Sequence, residues 1–573
     1  MNRVRIMSFI MLVFLAMTLA GLVFVQVVMN ERYSLMSEDN RLKIITLTAP
    51  RGTICDRNGD AVVKDELSFN VSVKYPGKKN EEILLKDLAR ALAINEKELQ
   101  GKFIEARKNP FVPYLMSEDV GIEKAISISE IVGDHPGIFL DVIPKRRYLY
   151  GRSSSNFLGY VGLINREEFQ QLKPYGFRIN DLMGRSGLEK QYDDYLRGKH
   201  GGKQVEVDNR GREVRVLGLK EPIPGKTLQL TVDMRLQEYC DSLLEGRKGA
   251  IVAICPETGE ILALSSSPSF DPNVFVGTGK SKEVGKILNS GEHPLLNRAI
   301  TGTYPTGSVF KPVVAVAGLE SGVISDGTIF NCQGSMTSGS RTFHCWNKNG
   351  HGDLGVKDAL KVSCNVFFWR TGLLLGPDRI ALYASRMGIG APTGIDLPFE
   401  ASGLLPSVDW KKKVMKDAWY SGETMNFSVG QGYLLCTPLQ VARMVSVIAN
   451  NGYLVRPYIV EKIDGLPVAG REKISLGISE KTLEIVREGM RRSVNDKRGS
   501  GMKARQEGFV VAGKTGTAQT SKEENHGWFV GFAPFENAKL SVVVFDEYGG
   551  AGGHFAAETA GKIFLKAKEI GVI

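Results

Sequence analysis

The chain has no internal repeat and no low-complexity tract, so solenoids and compositionally disordered arrays are excluded. Its basic residues do not gather into runs. There is no basic patch interleaved with aromatics, no zinc-finger spacing and no RNP-like stretch. Nucleic acid is therefore not the expected partner, despite a net charge of +10 over 573 residues. Cations spread in this way suit an anionic membrane surface or phosphate-bearing lipid substrates. Cysteine is scarce and odd in number, seven, so the cysteines cannot all pair within one chain. Cys55, Cys240, Cys255 and Cys436 stand in apolar or mixed contexts and read as buried thiols. No Gly-x-Ser-x-Gly elbow precedes a helix in an α/β repeat, which argues against a Ser-His-Asp triad of that type. Between residues 44 and 220 nothing groups acids, bases or nucleophiles, so this half reads as a non-catalytic spacer and docking module.

Long apolar runs are absent with one exception. Ile6 to Met29 carries no charge, and as a helix its 24 residues would span about 36 Å against a hydrocarbon core of roughly 30 Å. Arg3 and Arg5 precede it, which favours a cytoplasmic N-terminus. A cleaved signal peptide is the alternative, with Thr18-Leu19-Ala20 as a loose cleavage site. The apolar run continues well past that point, which favours an uncleaved single-pass anchor in the plasma (inner) membrane. The rest of the chain is then expected outside the cytoplasm. With 43% hydrophobic and 24% charged residues, it is long enough for two to four globular domains.

After the anchor, 30–43 reads as a helical stalk. Phe69 to Val73 alternates as a strand, Glu81 to Arg107 has helical period, Leu188 to Leu196 reads as a helix, and Lys203 to Val216 reads as a β-ribbon. Composition shifts near Pro222 to Gly225. A hairpin follows over Gly249 to Ser265, then a long helical region from about Leu295 to Ala449. Strands return over Gly508 to Gly513, Trp528 to Ala533 and Leu540 to Glu547, and Ala556 to Lys568 closes the chain as an amphipathic helix. Strands at both ends of this half with helices between predict one α+β domain whose sheet joins its two ends.

Chemistry concentrates in that half. Tyr304 to Pro312 is a Gly- and Pro-punctuated loop running into the apolar stretch Val313 to Leu319. A helix beginning at Ser308 would place Ser308 and Lys311 on one face, and Pro312 is tolerated in a first turn. A serine hydroxyl is a poor nucleophile until a base takes its proton. A lysine one turn away can be that base if burial or a second cation lowers its pKa towards about 7–8. Ser363-Cys364-Asn365 lies in the helical region, and Lys514-Thr515-Gly516-Thr517 follows an apolar strand. Alone, Ser-x-x-Lys is a common chance pattern, and Ser363 and Asn365 are ordinary helix-cap residues. Gly508 to Thr515 also fits G-x-x-x-x-G-K-[ST], but the residues before it are polar and Gly516 suits no helix start, so a P-loop is rejected.

Ser-x-x-Lys, Ser-x-Asn and Lys-Thr-Gly in this order resemble the signature of penicillin-interacting serine acyltransferases. From anchor to C-terminus the chain resembles a class B penicillin-binding protein. Arg51-Gly52-Thr53-Ile54-Cys55-Asp56-Arg57-Asn58-Gly59 is similar to the opening motif of that family's pedestal. Gly187 to Tyr192, Asn297-Arg298-Ala299, Trp419 to Thr424 and Gly430 to Tyr433 resemble its elongation-specific branch more than the division-specific one. The resemblance implies an α+β chain in three parts. These are a cytoplasmic stub and transmembrane anchor (1–30), an elongated β-rich pedestal of the dimerisation type (31–245), and a transpeptidase domain (246–573) with a central antiparallel sheet flanked by helices, similar to serine β-lactamases.

It also implies a D,D-transpeptidase that crosslinks peptidoglycan stem peptides on lipid II-derived glycan strands during wall elongation and is inhibited covalently by β-lactams. Ser308 would be the nucleophile, Lys311 its base, Lys514 a second cation, Ser363 a proton relay and Asn365 a holder of the stem amide. Thr515, Gly516 and Thr517 would bind the substrate carboxylate. A RodA-like glycosyltransferase and an MreC-like scaffold are the implied partners. A carboxypeptidase or β-lactamase-type hydrolase and a non-catalytic penicillin-binding scaffold are the alternative classes. The long N-terminal module argues against the first, and the intact Ser308, Lys311 and Lys514 against the second.

Three cysteines and a histidine remain. Cys332, Cys345, His351 and Cys364 supply a Cys₃His set of the kind that holds structural zinc, at wider spacing than a zinc finger, with His344 as a substitute ligand. Related elongation transpeptidases place metal-binding residues in this region. A Cys332–Cys345 disulfide, natural outside the cytoplasm, is the rival reading. The chemistry itself implies no cofactor.

Overall fold

The computed structural model describes residues 2–33, 41–110, 112–135, 137–179, 181–207, 213–277, 280–468, 470–520 and 524–573. Two compact units result. The first comprises Met1–Arg51 and Arg197–Gly225. Within it, an α-helix over Asn2–Val23 continues as a wider turn over Phe24–Val28. The segment Arg3–Val28 is long and apolar enough to cross a membrane, and the protein buries none of it. Of the expected stalk, 30–33 and 41 are helical, 34–40 lie outside the described residues, and 42–43 already belong to the strand Leu42–Leu47. That strand pairs antiparallel with Gly201–Val207, which pairs in turn with Glu213–Lys220. The expected ribbon is present, with its 208–212 connection outside the described residues.

The second unit comprises Gly52–Leu196 and Lys226–Ile573. Its N-terminal part is built on a seven-stranded sheet whose longest strand, Ala61–Val73, pairs with Ile54–Cys55, Tyr114–Val120 and Ile138–Tyr148. The expected single helix over 81–107 is two helices, Lys78–Leu92 and Glu96–Lys108. Ala93 turns left-handed (φ 52) at the break, and the Asn95 side chain caps the second helix. Both pack with Ile122–Val132 over a core of Leu84, Leu88, Leu99, Phe103 and Ile128. The sheet also recruits Leu228–Leu230 and, from far along the chain, Val460–Ile463.

This half does group charges, but in the interior. Arg146 is fully buried and holds Glu189 at 2.6 Å, Asp65 at 3.2 Å and the Gly52 carbonyl at 2.8 Å. It thereby ties the 51–59 motif to the 187–192 motif. Breaking such a buried pair typically costs about 3–5 kcal/mol.

The C-terminal part centres on five strands: β1 (Gly249–Ile254), β2 (Ile261–Ser267), β3 (Ala512–Ala518), β4 (His526–Ala533) and β5 (Leu540–Asp546). Their order is β2-β1-β5-β4-β3, antiparallel throughout, so β1 and β5 join the two ends of the domain. The strands are buried on both faces. Val252, Val543, Phe545 and Trp528 turn to one core and Ile251, Val542, Val544 and Phe529 to the other, as a period of two requires. Helix Pro438–Ala449 and the helix Lys311–Glu320 belong to the first core, and Met234–Leu243 and Phe555–Glu569 to the second.

The region expected to be helical from 295 to 449 is interrupted by short strands, Phe330–Cys332 with Gly352–Leu354 and Ser335–Ser338 with Arg341–His344. They carry the cysteine–histidine loop. The strand expected over 508–513 begins instead at Ala512 and contains the Lys-Thr-Gly motif. Packing of Ala512 and Ala518 against the core, together with the full ladder to β4, overrides the low strand propensity of its glycines.

Candidate active site

The α-helix begins at Lys311, and Ser308 stands just before it in a 3₁₀ turn over Gly307–Phe310. This is tighter than the α-turn expected. In a 3₁₀ turn residues i and i+3 eclipse, so Ser308 and Lys311 are still stacked. Ser308 is half-buried and Lys311 fully buried. The turn is wedged between two backbones. On one side Gly307 N–H donates to Gly430 O at 2.8 Å. On the other lies β3, the edge strand, where a Cβ on Gly516 would stand 2.8 Å from Thr306 O and 2.9 Å from a Val309 methyl. Only glycine admits that approach. Trp528 on β4 adds an indole hydrogen bond to Pro305 O at 3.0 Å.

The Lys311 ammonium faces acceptors on all its bonds. Nζ reaches Ser363 O at 2.8 Å, Ser363 Oγ at 3.2 Å and Asn365 Oδ1 at 2.7 Å. The two motifs, more than fifty residues apart in sequence, thus converge on one nitrogen. A carbonyl and an amide oxygen only accept. Nζ therefore donates to Ser363 O and Asn365 Oδ1, with the Ser363 hydroxyl as its third neighbour. Burial pulls Lys311 down to about 8, against a smaller upward pull from the Cys364 and Cys345 thiols. Lys514 is also fully buried and donates to Thr515 O at 2.9 Å. Burial, and then the charge of Lys311, hold it well below the ordinary lysine value. Thr515 is buried and its hydroxyl donates to Ser500 Oγ at 2.9 Å, whereas Thr517 is exposed. Lys514 lies on a strand with no helix opening at it, which fits the rejection of a P-loop.

Four residues near these motifs escaped the sequence reading. They are Gly430 against the nucleophile turn, Ser500 beneath Thr515, Gln431 (Nε2 to Thr517 O, 3.5 Å), and Trp346, which bonds the Ser363 carbonyl. Gly430 and Gln431 at least lay in a segment that the family resemblance had singled out.

Beside Ser363, the donor atoms of Cys332, Cys345, His351 and Cys364 lie within 4.8 Å of one another. Cys332 Sγ and Cys345 Sγ stand 3.5 and 3.7 Å from His351 Nδ1. Tetrahedral zinc with bonds of about 2.0–2.3 Å separates its ligands by roughly this much, and thiolate and imidazole are its usual donors, so the set fits the ion. The contact with Cys364 makes Cys345 the more acidic thiol, and the same contact pushes Cys364 up. All seven cysteines are free, so the Cys332–Cys345 disulfide is not formed. His344 is exposed on its hairpin and stands outside the cluster. The cluster touches the motif directly, since Asn365 N–H donates to Cys345 Sγ at 3.4 Å.

Comparison with known proteins agrees with this architecture. Residues 249–565 match the penicillin-binding protein transpeptidase domain, and 46–230 the penicillin-binding protein dimerisation domain. The peptidoglycan D,D-transpeptidase MrdA of Haemophilus influenzae is 33% identical over 567 residues, covering 94% of this chain and 87% of that protein. A complex between penicillin-binding protein PBP2 and MreC from Helicobacter pylori superposes with a TM-score of 0.81 at 28% identity, covering 93% of this chain and 99% of the other. A peptidoglycan synthase complex that coordinates polymerization and crosslinking gives 0.78 at 31% identity, with 98% of each chain covered. The chain belongs to the penicillin-binding family of serine-type peptidoglycan D,D-transpeptidases.

Proposed function

We propose that Ser308 is the nucleophile of this transpeptidase and that the chain serves wall elongation. Ser308 Oγ attacks the penultimate D-Ala carbonyl of a stem peptide as Lys311 takes its proton. The backbone N–H groups of Ser308 and Thr517 would bind the developing oxyanion, where one lost donor typically costs about 10²–10³ in rate. The C–N bond to the terminal D-Ala breaks, and Ser363 passes the proton from Lys311 to the departing amine. Asn365 holds the stem amide. Thr515, Gly516 and Thr517 hold the terminal carboxylate, with Lys514 behind them. An amine from a neighbouring stem then attacks the acyl carbon, returns a proton through the same groups and restores Ser308. The observation that carries this is the buried Lys311 amine, bonded to Ser363 and Asn365 together.

Cys332, Cys345, His351 and Cys364 would hold a structural zinc ion. Such an ion would supply no chemistry to acyl transfer; its four ligands would fasten the loop to the Ser363 motif. We place the N-terminus in the cytoplasm, on the strength of Arg3 and Arg5, and the transpeptidase domain, 246–573, on the far side of the membrane. There it would meet lipid II-derived glycan strands and β-lactams. The part from 31 to 245 is the proposed dock for an MreC-like scaffold and a RodA-like glycosyltransferase; a similar penicillin-binding protein is found in complex with MreC. Ser308→Ala should abolish covalent labelling by a fluorescent penicillin while the fold persists. Peptide mapping that finds the adduct on another serine would remove Ser308 from the role.

A further inference from the structure

Ser363 sits in an unusual turn. It follows the helix Val356–Lys361 and precedes the helix Asn365–Leu375, and its φ is +55°, in the left-handed region. A serine gains nothing from that conformation and stays there only when its surroundings fix it. From behind, Ser363 N–H and Cys364 N–H bond the Leu360 and Ala359 carbonyls of the preceding helix, at 3.3 and 2.9 Å. From the front, one side chain fastens the turn. The indole N–H of Trp346 lies 3.0 Å from Val362 O and 3.2 Å from Ser363 O. The Ser363 carbonyl also accepts from Lys311, so both its lone pairs are used. Trp346 is 62% exposed, and its ring meets His351 edge to face at 5.1 Å between centroids. Little apolar burial explains a tryptophan here. Its N–H, aimed at the turn, does.

We propose that Trp346 is a positioning residue of the acyl-transfer site. Its N–H holds the left-handed Ser363 turn so that Ser363 O and Oγ both face Lys311. This rests on the roles proposed above for Ser308, Lys311 and Ser363. Without the N–H, the Lys311 bond and the two backbone bonds still hold the turn, but the angle at which Ser363 O and Oγ meet the lysine is no longer fixed from the front. A merely structural role, clamping the cysteine–histidine loop, would lower the melting temperature together with the acylation rate.

The test uses the full-length chain in detergent as wild type, Trp346→Phe, and a form with 3-benzothienylalanine at 346, in which sulfur replaces the N–H in a ring of the same shape. Stopped-flow acylation by a fluorescent penicillin separates the binding constant from the acylation rate, and thermal melting reports the fold. Both variants should acylate about tenfold more slowly, with the binding constant unchanged and the isosteric variant melting as wild type does. Wild-type acylation rates in the isosteric variant would overturn the proposal, including when Trp346→Phe is slow and melts early. So would a loss confined to the binding constant. A wild-type chain acylated somewhere other than Ser308 overturns the proposed function itself, and this inference with it.

Discussion

Gly430→Ala should disable the nucleophile without touching it. A Cβ at 430 would stand 2.0 Å from Gly307 O, 2.6 Å from Thr306 Oγ1 and 2.8 Å from the Gly307 carbonyl carbon. Non-bonded contacts to carbon need more than about 3 Å, so the backbone ahead of Ser308 must retreat by roughly 1 Å. The 2.8 Å bond from Gly307 N–H to Gly430 O is lost in the same movement. Displacement on that scale costs about 10² in rate when the moved group is the nucleophile. Gly430 also has φ +74°, which adds roughly 1 kcal/mol for any L side chain. Gly246 separates the two effects, because it has φ +72° but nothing within 4 Å of its Cβ. Stopped-flow acylation should therefore show Gly430→Ala slower by about 10² in the chemical step and Gly246→Ala close to wild type. A Gly430→Ala protein that unfolds cooperatively and acylates at the wild-type rate would refute the reasoning.

Two other outcomes follow from the site. Burial holds Lys311 down to about 8, and only its neutral form can take a proton. The acylation rate should therefore rise about tenfold per pH unit below that value and level off above it, whereas a rate still climbing near pH 10 would mean an unperturbed lysine. Cys345→Ser removes one of the four clustered donors and the acceptor of Asn365 N–H. Zinc content by elemental analysis, the melting temperature and the acylation rate should fall together, with metal affinity down by about 10² or more. Wild-type protein purified without chelators that holds no zinc and has two of its seven cysteines oxidised would favour the disulfide instead.

The motif residues were legible because they are short, ordered and chemically distinctive. The joining of the domain's ends was legible because Ile251, Val542 and Val544 alternate on strands near both termini of that half. What could not be read was set by distant neighbours. Gly513, Lys514, Thr515 and Gly516 have poor strand propensity, and they lie in β3 because Val530, Phe529 and Trp528 offer them a complete ladder. The Trp346 bond to Ser363 and the Ser500 bond to Thr515 join loops whose own sequences carry no periodic signal. Nothing in the sequence links Arg146 to Glu189 and Asp65, and only the fold encloses it between them. The helix break at Ala93 was hidden because Leu92 and Ile94 keep the apolar period running across it.

The pairing of β1 with β5 also sets when the enzyme comes into being. Ile251 bonds alongside Val544, and the last helix, Phe555–Glu569, completes the core beneath them. A chain synthesised from its N-terminus therefore presents Ser308, Lys311 and Ser363 long before the strands that must flank them exist. Closing so long a loop is slow, and the edge of β1 that takes β5 stays open until β5 has emerged. The N-terminal part of the second unit waits as well, since its sheet takes Val460–Ile463 as a member. The acylating centre is thus absent from nascent chains that do not yet include β3, β4 and β5 and assembles only once these strands have left the ribosome.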